Sequence, residues 1–204
     1  PYPSSAIGAS AVRQIDLVTA YAAFDNDGAA VTTRFIRRIA DASGRVVFAE
    51  RPVVRDSVLD PRVAFIVRDM MRDGVERGTG TSARKAVPDA IPMAGKTGTT
   101  NDNKDVWFVG MTPDLVAGVW LGFDRPKTIA SGAVGGLLAA PIWGQMIGRY
   151  YAGRATNGWP TPPDGLTYAE LDRATAALAT PSTPPERRYV EYFLPGTEPM
   201  ELRN

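Results

Sequence analysis

Three short stretches rich in β-branched and aromatic residues follow one another closely in the middle of this chain. They cover residues 93–100, 105–111 and 115–123, and only a four-residue and a three-residue turn segment separate them. Links this short cannot carry a crossover connection, so successive strands must pair antiparallel with their neighbours. The sequence therefore predicts a three-stranded antiparallel meander at the centre of the fold.

Helices are predicted on both sides of the meander in the sequence. Apolar residues recur at helical spacing in three segments: 11–25, 61–74 and 136–151. Ser10 is the predicted N-cap of the first helix, and Gly28 follows its end. Asp60 and Pro61 supply an N-cap and a first-turn proline for the second helix. Pro141 should start or kink the third.

A hairpin and a proline-rich tail complete the predicted fold. Residues 33–39 and 45–48 read as two strands joined by a turn at 41–44, and an arginine cluster (Arg34, Arg37 and Arg38) marks a solvated face of this hairpin. After Arg154 prolines become frequent, so the tail should be mostly extended, with one helical patch over residues 168–178. The pattern indicates an α/β protein of the α+β type, with helices packed on an antiparallel sheet.

The chain contains no histidine and no cysteine, which excludes several kinds of chemistry. It cannot build a Ser-His-Asp triad, a histidine-ligated metal site, a thiol nucleophile or an iron–sulfur cluster. Its net charge of +1 falls far short of the basic excess that nucleic-acid binding needs. We therefore expect hydroxyl, amine and carboxylate chemistry, with no metal, no cofactor and no nucleic-acid partner. The longest apolar stretch, residues 115–123, is too short to cross a bilayer.

The densest cluster of chemically useful residues is the Lys-Thr-Gly segment at 96–98, followed by Thr99 and Thr100. In a strand, Thr97 and Thr99 share one face, and two hydroxyls near an ammonium could bind a carboxylate. An edge strand of this kind could also pair with an extended peptide. A phosphate-binding loop is excluded because Ala90 stands where its first glycine is required.

Residues 94–100 together with 105–110 resemble the third signature motif, and the strand that follows it, of penicillin-binding proteins. The similarity to the class A, bifunctional members extends in order and spacing over most of the chain, at residues 4–10, 20–24, 77–80, 121–124, 135–143 and 192–199. The resemblance implies the transpeptidase fold shared with serine β-lactamases. It also implies a location at the periplasmic face of the bacterial cytoplasmic membrane, with a membrane anchor and a glycosyltransferase domain further upstream.

The implied activity is D,D-transpeptidation, in which a serine attacks the D-Ala-D-Ala bond of a peptidoglycan stem peptide and β-lactams acylate the same serine. By resemblance, Lys96 belongs to the electrostatic network of the active site. Thr97 and Thr99 hold the carboxylate of the substrate or drug, and the backbone N–H of Thr99 forms half of the oxyanion hole. Gly98 gives clearance, and Thr100 completes the substrate-binding strand.

Two motifs of the family are not found where the resemblance requires them. The Ser-x-x-Lys nucleophile motif and the Ser-x-Asn motif should both precede Lys96, the former well upstream. Ser82 and Lys85 match Ser-x-x-Lys literally, but they lie eleven residues before Lys96 in a loop-like segment, and we interpret the match as a coincidence. We therefore expect residues 1–152 to be the C-terminal half of a transpeptidase domain, with residues 153–204 as its tail. The N-terminal half of the same polypeptide would supply the serine, and this chain alone should be inactive.

Two other functions stay open at this point. A non-catalytic domain of the same fold could bind cell-wall peptide or a protein partner without forming an adduct. A serine β-lactamase would share the Lys-Thr-Gly chemistry, although the strand at 105–110 and the proline-rich tail fit it poorly. Trp107, Phe108, Trp120 and Trp143 are interpreted as core residues, and Asp102 and Asp105 as turn and strand-start residues.

Overall fold

A computed structural model of the chain describes residues 2–51, 53–55 and 57–200. Its helices are α1 (Gln14–Asp25), α2 (Pro61–Glu76) and α3 (Gly135–Tyr150), with 3₁₀ helices at Pro3–Ile7, Thr81–Ala86, Asn101–Asn103 and Pro185–Arg187. Its strands are β1 (Ala30–Val31), β2 (Arg38–Ala40), β3 (Val46–Ala49), β4 (Val54–Arg55), β5 (Ala94–Thr99), β6 (Val106–Thr112), β7 (Leu115–Leu121), β8 (Thr167–Asp172) and β9 (Arg188–Phe193). No helix in the described ranges has the length and apolar character needed to cross a membrane.

The central sheet is the predicted antiparallel meander, in the order β5-β6-β7. Helix α3 covers one face: the Trp143 ring packs 5.2 Å from that of Phe108, and the Trp143 Nε1 donates to the carbonyl of Ala117 at 3.0 Å. Helix α1 covers the other face, where the Gln14 amide donates to the carbonyl of Gly118 at 2.9 Å. The α+β arrangement of an antiparallel sheet flanked by helices is confirmed.

Helix α2 supports β5 from the side of the sheet that α1 covers. Its N-terminus is the predicted one, because the Asp60 carboxylate accepts the backbone N–H of Arg62 at 2.9 Å. Near its end Gly74 lies so close to β5 that a Cβ there would stand 2.9 Å from the carbonyl oxygen of Gly95. The glycine therefore lets the helix backbone approach the strand that carries the Lys-Thr-Gly segment.

One predicted helix boundary, the start of α1, is wrong. Helix α1 begins at Gln14 with Arg13 at the N-cap, and Ser10 lies outside it, where its hydroxyl bonds that of Ser5. Arg13 caps no backbone group but pairs with Asp16 in the first turn, where a carboxylate faces the positive end of the helix. Helix α3 begins at Gly135, within one residue of its predicted start, so Pro141 lies in its second turn and does not start it.

The hairpin prediction is confirmed with shorter strands, since β2 pairs antiparallel with β3. The helical patch predicted for residues 168–178 is wrong. Strand β8 occupies its first part and pairs antiparallel with β9, from Thr167 opposite Phe193 to Asp172 opposite Arg188. Asp172 then closes a turn by accepting the N–H of Ala174 and the guanidinium of Arg187. Pairing with a distant strand overrides the local helical spacing here.

The division of the chain into units 1–152 and 153–204 stays a prediction. Residue 1 and residues 201–204, at the ends of these two units, lie outside the described part of the chain.

Candidate active site

A cleft of about 510 Å³ opens beside strand β5, between the 3₁₀ helix Thr81–Ala86 and the N-terminal turn of α3. Five of its lining side chains carry hydroxyl groups: Thr79, Thr81, Ser82, Thr97 and Thr99. Lys85 is the only charged side chain that lines the cleft within the described part of the chain. Hydroxyl donors and one ammonium, without a carboxylate, make this cleft suited to an anionic ligand.

Glycines of helix α3 let residues 79–86 pack closely against this helix, and these residues form one wall of the cleft. A Cβ on Gly136, Gly144 or Gly148 would collide with a backbone carbonyl of the segment opposite, at Thr79, Ala83 and Ala86 respectively. These glycines recur on one side of α3 at spacings of eight and four residues, which are close to two turns and one turn of the helix. The three glycines therefore set the position of the cleft wall that carries Thr81, Ser82 and Lys85. The sequence predicts only a loop for this segment, and the structure forms a 3₁₀ helix at Thr81–Ala86.

Hydrogen bonds hold the hydroxyls of the cleft in place. The Thr79 and Thr97 hydroxyl oxygens lie 2.6 Å apart, and the Thr99 hydroxyl accepts the backbone N–H of Gly135 at 3.1 Å. Because Thr99 accepts from the protein, its own proton remains available for a ligand. Ser82 donates its hydroxyl proton to the carbonyl of Gly136.

The structure brings together only part of the predicted site. Thr97 and Thr99 line the cleft, whereas Lys96 is exposed, does not line it, and donates to the carbonyl of Thr97 at 2.7 Å. Gly98 faces a crowded position, because a Cβ there would lie 3.1 Å from the Cβ of Trp107. Thr100 lies beyond the cleft and accepts the N–H of Asp105 at 2.8 Å, which closes the β5–β6 turn. The predicted convergence of both hydroxyls with the Lys96 ammonium is therefore not seen.

Two residues that the sequence analysis does not assign to the site, Ser82 and Lys85, line the cleft. Ser82 and Lys85 share the cleft with Thr97 and Thr99, since three-residue spacing places both on one side of a 3₁₀ helix. Thr79 was also missed as a site residue. Gly78 and Gly80 on either side of Thr79 are the sequence signal for its position, because glycines allow a chain to pass close to other backbone.

The two acidic residues near the site have the structural roles predicted for them, but only two of the four predicted core aromatics do, because Trp107 and Trp120 are half-buried and contact each other across β6 and β7. Phe108 and Trp143 are completely buried. The Asp105 carboxylate accepts the indole N–H of Trp120 at 3.0 Å, at the start of β6. Asp102 occupies the turn with a φ of 61°, a conformation that Asp and Asn adopt more readily than most residues.

Comparison with protein families matches residues 2–145 to the penicillin-binding protein transpeptidase domain and residues 162–204 to the C-terminal domain of penicillin-binding protein 1A. The chain is 38% identical over 167 residues to penicillin-binding protein 1A of Neisseria lactamica, which covers 80% of the chain and 21% of the relative. The corresponding Pseudomonas aeruginosa protein is 38% identical over 152 residues, or 74% of the chain and 18% of the relative. The chain thus spans about a fifth of the length of these curated relatives.

Solved structures agree with this match. The penicillin-binding protein 1A structure from Haemophilus influenzae superposes with a TM-score of 0.83 at 23% identity, over 98% of this chain and 34% of that one. The structure of PonA1 from Mycobacterium tuberculosis superposes with a TM-score of 0.65 at 31% identity, over 80% of this chain and 45% of that one.

Proposed function

Because this chain belongs to the penicillin-binding protein transpeptidase family, we propose that it is the C-terminal part of a D,D-transpeptidase that cross-links peptidoglycan stem peptides and is acylated by β-lactams. The observation that carries the proposal is the hydroxyl-lined cleft beside β5, where Thr97 and Thr99 stand together. The complete protein would also carry a membrane anchor and a glycosyltransferase domain, and would act on the periplasmic face of the cytoplasmic membrane.

The nucleophilic serine is proposed to come from an N-terminal part of the same polypeptide that carries the Ser-x-x-Lys motif. Ser82 is a poor candidate because its hydroxyl proton is donated to the carbonyl of Gly136, which cannot act as a base for it. The chain also spans only about a fifth of its curated relatives, which leaves ample length for a second part.

In the proposed reaction the serine oxygen attacks the carbonyl of the penultimate D-Ala, and the terminal D-Ala leaves with a proton on its amine. An amine of a neighbouring stem peptide then attacks the ester, and the serine regains its proton. The hydroxyls of Thr97 and Thr99 would bind the terminal carboxylate, and the backbone N–H of Thr99 would stabilise the oxyanion. Lys96 would add positive potential. Gly98 would provide the clearance that β5 needs beside Trp107, and Thr100 would stabilise the end of the substrate-binding strand by accepting the N–H of Asp105.

The position of β5 supports binding of an extended peptide. Strand β5 is at one edge of the central sheet, with β6 on its other side. Its outer backbone groups can therefore pair with a substrate strand, which would align the scissile bond beside Thr97 and Thr99.

The test is intact-mass analysis of this chain assembled with the serine-bearing part, before and after treatment with benzylpenicillin. We expect one penicilloyl adduct on the serine-bearing part and none on this chain. Thr97→Val and Thr99→Val should each slow acylation about 10-fold or more, since each removes a hydrogen bond to a charged group. Thr161→Val, an exposed site outside the cleft, is the control.

Other outcomes would contradict the proposal in distinct ways. An adduct on this chain would make Ser82 the nucleophile. No adduct on either part would favour a non-catalytic domain that binds cell-wall peptide, and rapid release of hydrolysed drug would indicate a β-lactamase.

A further inference from the structure

The C-terminal β8–β9 hairpin packs against helix α2 through aromatic side chains of β9. The Tyr192 ring meets the buried Phe65 ring edge-on, with centroids 5.1 Å apart. The Tyr189 ring lies beneath two guanidinium groups, those of Arg77 at 5.8 Å and Arg173 at 4.9 Å from its centroid. Phe65 lies in the second turn of α2 and Arg77 follows its last residue, so the hairpin contacts this helix near both ends.

Charged groups buried along this contact show that the hairpin is closely docked. Asp69 of α2 is only 7% exposed and pairs with Arg72 at 2.7 Å. Glu191 of β9 has a buried carboxylate oxygen, and burial raises the pKa of both Asp69 and Glu191. The nearby Asp69 charge also raises the pKa of Glu191, so the two buried carboxylates lie close together where β9 packs on α2.

A second contact fixes the segment that leads into the hairpin. The Trp159 indole N–H donates to the Asp25 carboxylate at 2.7 Å, at the end of α1. The Arg68 guanidinium lies over the Trp159 ring at 5.3 Å and over the Phe65 ring at 5.7 Å. Arg68 of α2 is only 3% exposed. Its guanidinium contacts both Trp159 and Phe65, the ring against which Tyr192 packs, so it links the two contacts that the tail makes with α2.

The end of α2 that the hairpin contacts leads directly into the cleft. Arg77 is followed by Gly78 and Thr79, both of which line it, and the Thr79 hydroxyl bonds that of Thr97. The Gly80 N–H then donates to the carbonyl of Gly74 at 2.8 Å. A single residue, Gly78, separates Arg77 from Thr79. The Arg77 guanidinium contacts the Tyr189 ring and pairs with Asp73 of α2.

We propose that the C-terminal hairpin is a positioning element for the candidate active site, acting through the contact of Tyr189 with Arg77 to hold Thr79 against Thr97. This inference rests on the proposed transpeptidase function for its kinetic consequence. It assigns residues 167–193 a role in acylation, although none of them lines the cleft. Tyr189 is a positioning residue in this account and touches no reacting atom.

The kinetic test compares Tyr189→Ala with Tyr189→Phe and Tyr168→Ala in the assembled protein. Tyr168 lies on the same hairpin but is 74% exposed, which makes it the matched control. We expect Tyr189→Ala to lower the first-order acylation constant by benzylpenicillin about 3- to 10-fold per titrated active site, the range of one cation–π contact. Tyr189→Phe should restore the rate because it keeps the ring. A merely structural role would lower the number of titratable sites or the melting temperature without changing the rate per site.

A second measurement tests the inference without relying on acylation. Amide hydrogen exchange of the segment 77–82 should be about tenfold faster in Tyr189→Ala than in the unchanged protein, and unaltered in Tyr168→Ala. Equal exchange in all three proteins would overturn the inference. Loss of acylation in the unchanged protein would instead overturn the proposed function, while faster exchange in Tyr189→Ala alone would still support the positioning role.

Discussion

The hydroxyl oxygens of Thr79 and Thr97 lie 2.6 Å apart, although eighteen positions separate the two residues in the sequence. Thr79 belongs to the segment between α2 and the 3₁₀ helix Thr81–Ala86, and Thr97 to the middle of β5. Either hydroxyl can donate in this pair; when Thr97 accepts from Thr79, its own proton is free for a ligand in the cleft.

Thr79→Val should therefore slow β-lactam acylation by about 3- to 10-fold, because it removes one neutral hydrogen bond while it keeps the shape of the side chain. The acylation rate constant with a fluorescent penicillin measures this effect. Thr79→Ser keeps the hydroxyl and is the matched control. Equal loss in both variants would mean that packing of the methyl group, and not the hydrogen bond, supports Thr97.

Lys85→Gln should lower the rate of acylation by carboxylate-bearing drugs about 2- to 5-fold, the range of an exposed charge pair. Lys85 is the charged group at the cleft wall, and salt screens the attraction between its ammonium and the carboxylate of a drug. The difference in acylation rate between Lys85→Gln and the unchanged protein should shrink as the salt concentration rises. Lys127→Gln is the control, since that ammonium lies over the Phe123 ring at 4.1 Å and not in the cleft. An identical salt dependence of the acylation rate in both variants would show that Lys85 does not interact with the drug.

The strand order and the central threonines could be predicted from the sequence, but the cleft could not. Short links between strands leave one antiparallel arrangement, and the period of two places Thr97 and Thr99 together. The approach of the 3₁₀ helix to α3 depends instead on Gly144 and its neighbours meeting a carbonyl in a distant segment. Contacts of this kind have no local signal, so the sequence alone could not place Ser82 and Lys85 at the wall of the cleft.

The tail illustrates the same limit. Residues 168–178 have helical apolar spacing, but β8 forms because β9 pairs with it along its whole length. The partner strand lies about twenty residues away, beyond the reach of local propensity, so tertiary pairing decides the conformation.

Gly144→Ala should destabilise the fold by about 1–3 kcal/mol, because the added Cβ would collide with the carbonyl of Ala83 and force α3 away from the 3₁₀ helix. Urea denaturation measures the change. Gln145→Ala, at the exposed neighbouring position, should stay within about 0.5 kcal/mol of the unchanged protein. A Gly144→Ala variant as stable as the control would show that α3 and the 3₁₀ helix tolerate a wider separation.

Asp25 should make the stability of the tail contact depend on pH. Burial raises the pKa of its carboxyl to about 6, although the indole of Trp159 and the Arg68 guanidinium oppose that rise. In the unfolded chain the pKa of an aspartate is about 3.9, so protonation favours the folded state. This contribution is complete below about pH 4, is lost as the pH rises to about 6, and is absent at higher pH.

Asp25→Asn keeps a neutral acceptor for the Trp159 N–H and removes the desolvated charge. The variant should therefore be more stable than the unchanged protein at pH 7.5, and its advantage should shrink as the pH falls from 6 to 4. Melting temperatures of both proteins across this range isolate Asp25, because Asp69 and Glu191, whose carboxyl pKa values are also raised, titrate equally in each. An advantage that stayed constant with pH would mean that the Asp25 carboxylate is not desolvated by Trp159 and α2.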